Sequence, residues 1–427
     1  MNHLITPPLL NDLSLQIISK INQKFLVSKK KASQIRFTTF EKINFNEFRP
    51  TQNYNLIDHS IRQHIDGCKK IGRIYNFNIN DRNISLYIIL PIYSLKKRNY
   101  THHSNYTINP LNNKTIKIDS NYYNFQKIIR KVYSILLFFI THTNINVNCS
   151  NKLSIFLYLS NLKKLLPQSR SSLNSIRSTN IDKKNVNTGF TFGCSYMNEI
   201  YVYRKEEWEK VLIHELIHAF GLDFASQSEL NNIANNQMLK FFNFNEQLHD
   251  LNKDIKIYEA YTETWATIIN IIFQDDLSKS QTGDKKNDIS KIIKKIHNQQ
   301  IWSMIQYLKL MRFYRLDNLI FENEKQIILK EKVTLYSYYI LKCRFLLYIN
   351  DFFGFYIKDK NQLIDFKKTK ENVNKFTSFI INEIYCINEN GRFEKTILKL
   401  MKECKDLVKI TYNTNKYEIK HSLKMTI

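Results

Sequence analysis

The run His214-Glu215-Leu216-Ile217-His218 sets two imidazoles four residues apart, with a carboxylate beside the first. On an α-helix, residues four apart share one face about one turn apart. Two ring nitrogens so placed can meet one zinc ion at ~2.0–2.1 Å. Glu215 lies ~100° round the helix from His214, where it reaches a water at the metal without binding the metal itself. Such a set serves hydrolysis by activated water, with Glu215 as general base. The flanking residues favour this reading. Trp208, Val211, Leu212, Ile213, Leu216, Ile217, Ala219 and Phe220 make the segment apolar on most sides, so the helix is buried. A glutamate and two histidines inside it are costly to leave unpaired, and a metal removes that cost. The plain alternative is two core histidines flanking a solvent-facing Glu215.

A catalytic zinc takes three protein ligands and keeps one open position. A histidine six residues beyond His218 would be one common third ligand, but that position is Phe224. Asp223, one residue short of it, suits the helix end, an outer support for a ligand, or an alternative ligand. A stronger candidate lies in IYEAYTETWATIINIIF, residues 257–273, where Glu259 and Glu263 share a helical face with Ala266, Ile269 and Phe273. Two carboxylates on the inner side of an apolar helix need a partner. Glu259 follows His218 by 41 residues, a distance a loop and a short helix can cross.

H-E-x-x-H followed by E-x-x-x-E on a later helix resembles the gluzincin class of zinc metallopeptidases. The resemblance covers roughly residues 125–273. It implies one zinc per chain, held by His214, His218 and Glu259, with Glu215 as general base and then acid. Glu263 would orient a ligand histidine through its other ring nitrogen; the two acids can exchange roles. The implied substrate is a peptide or protein. The implied fold is α+β: a zincin-like mixed sheet ending in the active-site helix, then a mainly helical C-terminal part, with the cleft between them. The run NTGFTFG…YRKEEWEKVLIHELIHAFGLDF is also similar to proteins of large nucleocytoplasmic DNA viruses, which implies action in a host cell or virion.

The elements that must position these residues are legible as patterns. Residues 1–70 read as a mostly helical region and 71–224 as an α+β unit ending in the active helix. Residues 225–427 read as helical and carry the third ligand. Two β-rich runs flank Asn80-Asp81-Arg82-Asn83 as a hairpin. Ile128, Ile129, Val132, Ile135 and Leu136 recur at helical spacing within residues 125–142, and 153–160 is a short buried strand. Residues 187–193 and 199–204 read as a second hairpin; the resemblance implies that its edge strand (Thr188, Gly189, Phe190, Thr191, Phe192) binds an extended peptide by strand addition, with an ordinary hairpin strand as the competing reading. Tyr258, Tyr261 and His249 are candidate donors to an oxyanion by residue type and location.

The net charge is +25, with basic pairs scattered along the chain and no long run. A Lys-rich solvated surface accounts for this better than a nucleic-acid partner, which the charge permits but does not favour. Two rival functions therefore stand: a peptidase acting on DNA-bound proteins, and a non-catalytic zinc-binding or nucleic-acid-binding structural protein. The six cysteines form no C-x-x-C pair, and their spacing indicates neither a cysteine zinc site nor a disulfide framework. The first residues lack the pattern of a signal peptide. The longest apolar runs, 133–140 and 265–273, fall short of the ~20 residues that span a bilayer. A soluble intracellular protein without a membrane partner is the expectation.

Overall fold

A computed structural model describes residues 10–48, 50–92, 116–167, 180–244, 254–274, 285–316, 325, 327–328, 334–358, 364–385 and 421–426. The architecture is α+β, as expected. Its six-stranded mixed sheet has the order β1-β2-β3-β4-β6-β5. The strands are β1 (Glu41–Lys42), β2 (Lys70–Ile79), β3 (Arg82–Pro91), β4 (Lys152–Ser160), β5 (Gly189–Thr191) and β6 (Met197–Arg204). β2 and β3 form the first expected hairpin, with a tighter turn than the four residues read from the sequence. Asn80 adopts φ 50°, a conformation asparagine tolerates in two-residue hairpin turns, and Arg82 already pairs with Ile79. β3, β4 and β6 run parallel, and β5 closes the edge antiparallel to β6.

Alternation along the strands builds two different faces. Ile84, Leu86 and Ile88 of β3, Leu153, Ile155 and Leu157 of β4, and Ile200 and Val202 of β6 join the main aliphatic core. That core also takes in α3 (Ile116–His142), the short α4 (Lys183–Val186), α5 (Trp208–Ala219) and α7 (Ile257–Phe273). The opposite face carries Phe156, Tyr158, Tyr201 and Tyr203, covered by Tyr54, Ile57, Ile61 and Ile65 from the segment that leads into and includes α2 (His59–Gly67). α1 (Asp12–Gln34) packs on α3 and α7, so the main core is continuous from Ile17 to Met425.

The downstream part is largely helical, with α6 (Ser228–Phe241), α7, α8 (Lys285–Phe313), a π-helix at Tyr336–Leu341, and helices at Lys342–Leu347, Ile349–Lys358 and Lys370–Phe379. Two expectations fail. Residues 422–426 are not a helix: Leu423 N donates to Lys164 O (2.9 Å) and Leu166 N to His421 O (2.8 Å). Side chains pin this strap by its carbonyls, Tyr339 on Leu423 (2.7 Å), Trp302 on Lys424 (3.0 Å) and Gln299 on Met425 (2.8 Å). Leu423 and Met425 also sink into the main core, but so short an alternation cannot be told from helical spacing in a sequence window. The cysteines are also not all free, since Cys149 and Cys194 form a disulfide. The fold brings together two cysteines 45 residues apart in sequence, which spacing alone does not reveal. Among the described residues, no helix is long and apolar enough to cross a membrane.

Candidate metal centre

α5 ends where its sequence directs. Gly221 takes φ +61°, the left-handed conformation glycine adopts without a Cβ penalty. Gly221 N donates to His218 O and Leu222 N to Ile217 O, each at 2.9 Å, the two bonds of a Schellman close. The chain thereby reverses and brings Asp223 back to His218. A Cβ on Gly221 would lie 3.0 Å from Cys194 Cβ and 3.2 Å from Cys149 Sγ, so the disulfide packs directly on this stop.

α7 crosses α5 and supplies the acids. His214 Nε2 and His218 Nε2 are 3.0 Å apart. Glu259 Oε2 lies 3.2 Å from the first and 3.3 Å from the second. Ligands at ~2.0–2.1 Å from a tetrahedral ion stand ~3.3–3.4 Å from one another. The three atoms thus outline, slightly contracted, one face of a coordination tetrahedron. Glu259 Oε2 is buried without a hydrogen-bond partner, a costly state that a cation would relieve. Two nitrogens and one anionic oxygen are a donor set that fits zinc.

The other ring nitrogens each lie against a further carboxylate. His214 Nδ1 lies 3.0 Å from Glu263 Oε2, and His218 Nδ1 lies 2.5 Å from Asp223 Oδ2. Asp223 also accepts from Thr262 Oγ1 (2.7 Å) and Ala225 N (3.1 Å). Glu263 Oε1 accepts from Lys210 Nζ at 2.7 Å, with Lys342 Nζ at 3.8 Å. Both carboxylates stand on the Nδ1 side, where they fix each ring's orientation and leave Nε2 facing Glu259. The two acids thus meet opposite nitrogens of His214, and among the described residues it is Glu259 that groups with both histidines.

Electrostatics match this geometry. Burial disfavours a charged His218, but Asp223 and Glu259 outweigh it and hold its pKa well above the usual value. Burial also works against His214, whose pKa is nevertheless raised by Glu259 and Glu263. Burial opposes ionisation of both acids too, yet His218 and His214 hold Glu259, and Lys210 with His214 and Lys342 hold Glu263, well below the carboxylate range. A metal entering here competes with protons on the two imidazoles. Glu215 goes the other way: burial raises its pKa, partly offset by the two histidines.

Glu215 also meets the sheet edge. A Cβ on Gly189 would fall 3.3 Å from Glu215 Oε1, 2.7 Å from Val211 Cγ1 and 2.6 Å from Tyr201 O, so a side chain there would push β5 off α5. Tyr203 N donates to Thr188 O at 2.8 Å. Bonded and non-bonded pairs alternate in an antiparallel ladder, so Phe190 bonds inward while Gly189 and Thr191 turn their backbone groups outward. Among the described residues no strand pairs with that outer edge. β5 is shorter than the expected strand: Thr188 precedes it, and Phe192 follows it with 43 % of its surface exposed.

The expected oxyanion donors separate. The Tyr258 ring is edge-on to His218 with centroids 6.2 Å apart. Tyr261 does not face the centre, because its hydroxyl donates to Ile364 O at 3.0 Å within the core. His249 lies outside the described residues. Three residues that sequence reasoning missed belong to the site. Tyr338, on the π-helix, meets His214 edge-on at 6.1 Å, and burial together with Glu259, Glu215 and Glu263 raises its pKa far above normal. Lys210 and Lys342 flank Glu263. Lys210 left a signal, since a lysine four residues before His214 on a buried face calls for a carboxylate partner; Tyr338 and Lys342 left none. Comparison of the chain with protein-family models, with curated proteins and with solved structures finds no match.

Proposed function

We propose that the chain is a zinc-dependent peptidase of zincin-like architecture, holding one zinc through His214, His218 and Glu259. The observation that carries this reading is the triangle of two Nε2 atoms and Glu259 Oε2, with sides of 3.0, 3.2 and 3.3 Å, beside a glutamate that is not part of it. A purely structural zinc is closed by four protein ligands, and the described residues offer a cluster of three. When bound, zinc supplies a Lewis acid that brings the pKa of water towards ~7 and polarises a carbonyl. Glu215 takes the water's proton and then passes it to the leaving amine; its burial, which raises its pKa, suits a group that must both accept and return a proton. Glu263 and Asp223 hold the imidazoles in orientation. Gly189 and Thr191 offer outward backbone groups that pair with an extended peptide alongside Glu215. Tyr338 and Tyr258, whose rings meet the ligand histidines, are the candidate hydroxyl donors to a developing oxyanion.

The test is zinc content per folded chain, by elemental analysis, in wild type and single variants. Wild type is expected to hold about one zinc, as a three-ligand site requires. His218→Ala and Glu259→Ala lose it, Glu215→Gln keeps it without peptidase activity, and Glu263→Ala weakens it. Folded wild-type protein that takes up no zinc when offered the metal refutes the proposal.

A further inference from the structure

Across the sheet face opposite α5, four aromatic rings stand in one row, one on each of four neighbouring strands. Tyr87 stacks on Phe156 (4.4 Å between centroids, 18° between planes), Phe156 on Tyr201 (4.7 Å, 12°), and Tyr201 on Phe190 (4.9 Å, 9°). Strand register sets this row, because Tyr87 pairs with Phe156, Phe156 with Tyr201, and Tyr201 with Phe190. The ring spacing equals the ~4.7–4.9 Å between strands, so each added strand can add one rung. The row ends at Phe190, on the edge strand whose outward backbone lies beside Glu215. Phe192 stands at 88° to Phe190 with centroids 6.3 Å apart and is 43 % exposed, forming a wall next to that last rung.

We propose that the open end of this row is a specificity subsite for an aromatic side chain of an extended peptide substrate. The inference rests on the peptidase reading for its substrate class and on the aromatic row for its selectivity. A peptide pairing with Gly189 and Thr191 sets one residue opposite Phe190, with its side chain on the aromatic face of the sheet. That residue is next in sequence to the one opposite Gly189, which lies at Glu215. An aromatic ring there continues the stack at the next strand spacing and covers the last rung. Small or acidic side chains leave Phe190 and Phe192 exposed. The chain therefore selects an aromatic residue at one fixed position close to the bond it cuts.

The test has a binding arm and a cleavage arm. Zinc-loaded Glu215→Gln protein is titrated by fluorescence anisotropy with ten-residue extended peptides in which Phe, Tyr, Leu, Ala or Asp is moved through the central positions. Wild-type protein is given the same peptides, and products are mapped by mass spectrometry. At one position Phe and Tyr are expected to bind about 5- to 20-fold more tightly than Ala, the range set by an aromatic cross-strand pair plus its burial. In Phe190→Ala and in the more conservative Phe190→Leu the ratio falls to about 2 or below. Cleavage at a constant offset from that aromatic residue supports the subsite. Cleavage without aromatic preference, or a preference unchanged in both Phe190 variants, overturns the subsite and leaves the peptidase reading standing. Phe190-dependent aromatic binding with no cleavage of any peptide keeps the subsite and overturns the peptidase reading. Absence of both binding and cleavage overturns both.

Discussion

Removing Lys210 tests whether the charges behind the centre act as one structure. Lys210 Nζ lies 2.7 Å from Glu263 Oε1, and both side chains are 2 % exposed. Lys210→Met keeps the length of the apolar stem but leaves Glu263 buried beside His214 with only the more distant Lys342. Breaking a buried pair from one side costs about 3–5 kcal/mol. Lys342, 3.8 Å from the same oxygen, compensates in part, so the lower end, about 3 kcal/mol, is expected. Loss of a carboxylate that supports a ligand histidine typically weakens metal binding about 10- to 100-fold, and about 10-fold is expected here because Glu263 remains in place but is less firmly held. Urea unfolding followed by tryptophan fluorescence reads the first quantity, since Trp208 lies on α5 and Trp265 on α7. Zinc titration against a competing chelator reads the second. The double variant Lys210→Met/Glu263→Gln removes both charges and is expected to recover about 1–3 kcal/mol relative to the sum of the two single changes, the coupling usual for groups in contact. Unchanged stability together with zinc affinity within twofold of wild type would refute the reasoning, as would strict additivity in the double variant.

Other consequences can be checked separately. Tyr338→Phe is expected to retain zinc and lower kcat about 100-fold with little change in KM, the usual result of losing one oxyanion donor; steady-state kinetics with parallel zinc analysis decide it. Burial raises the pKa of Glu207, but Lys164 and then Lys210 bring it down to about 2. Because this lies below the unfolded value, the stabilisation is fully present above about pH 4.5 and is lost as pH falls towards 2. Thermal unfolding between pH 6 and 3 should therefore show a smaller acid-induced drop in Tm for Glu207→Gln than for wild type, from a lower starting point. Cys149→Ser should reduce stability by about 2–4 kcal/mol, as expected for opening a loop of this length. A reductant should lower the wild-type Tm and leave that variant unmoved.

The parts legible in the sequence were those governed by local periodicity. The helix of His214, Glu215 and His218 could be read because its polar residues interrupt an otherwise apolar pattern, and the strands of residues 73–92 and 153–160 because alternation and β-branching mark them. The spacing of Glu259 and Glu263 placed both acids on one helical face, but their division of labour depends on how α7 crosses α5. The sequence spacing does not encode that crossing. Tyr261 looked as good a donor as Tyr258, since one turn of helix separates a ring at the centre from a ring in the core. Tyr338 reaches the site from a π-helix and Lys342 from the α-helix that follows it, both more than 110 residues beyond His218, and the disulfide joins cysteines with no motif around them. These are consequences of tertiary packing, invisible to any short window.

The strap at residues 421–426 gives the centre a timetable. Thr426 donates through its backbone N and its hydroxyl to Glu207 Oε1, at the N-terminus of α5, while Met425 Sδ lies 3.7 Å from Lys210 Nζ. During synthesis α5 emerges roughly 200 residues before this strap, a delay of about 10–40 s at the usual ~5–20 residues per second. Over that interval the nascent chain carries both histidines, but the charges behind them lack their final cover. A chain built in this order withholds its finished centre from the crowded surroundings of the ribosome until the strap itself has been made.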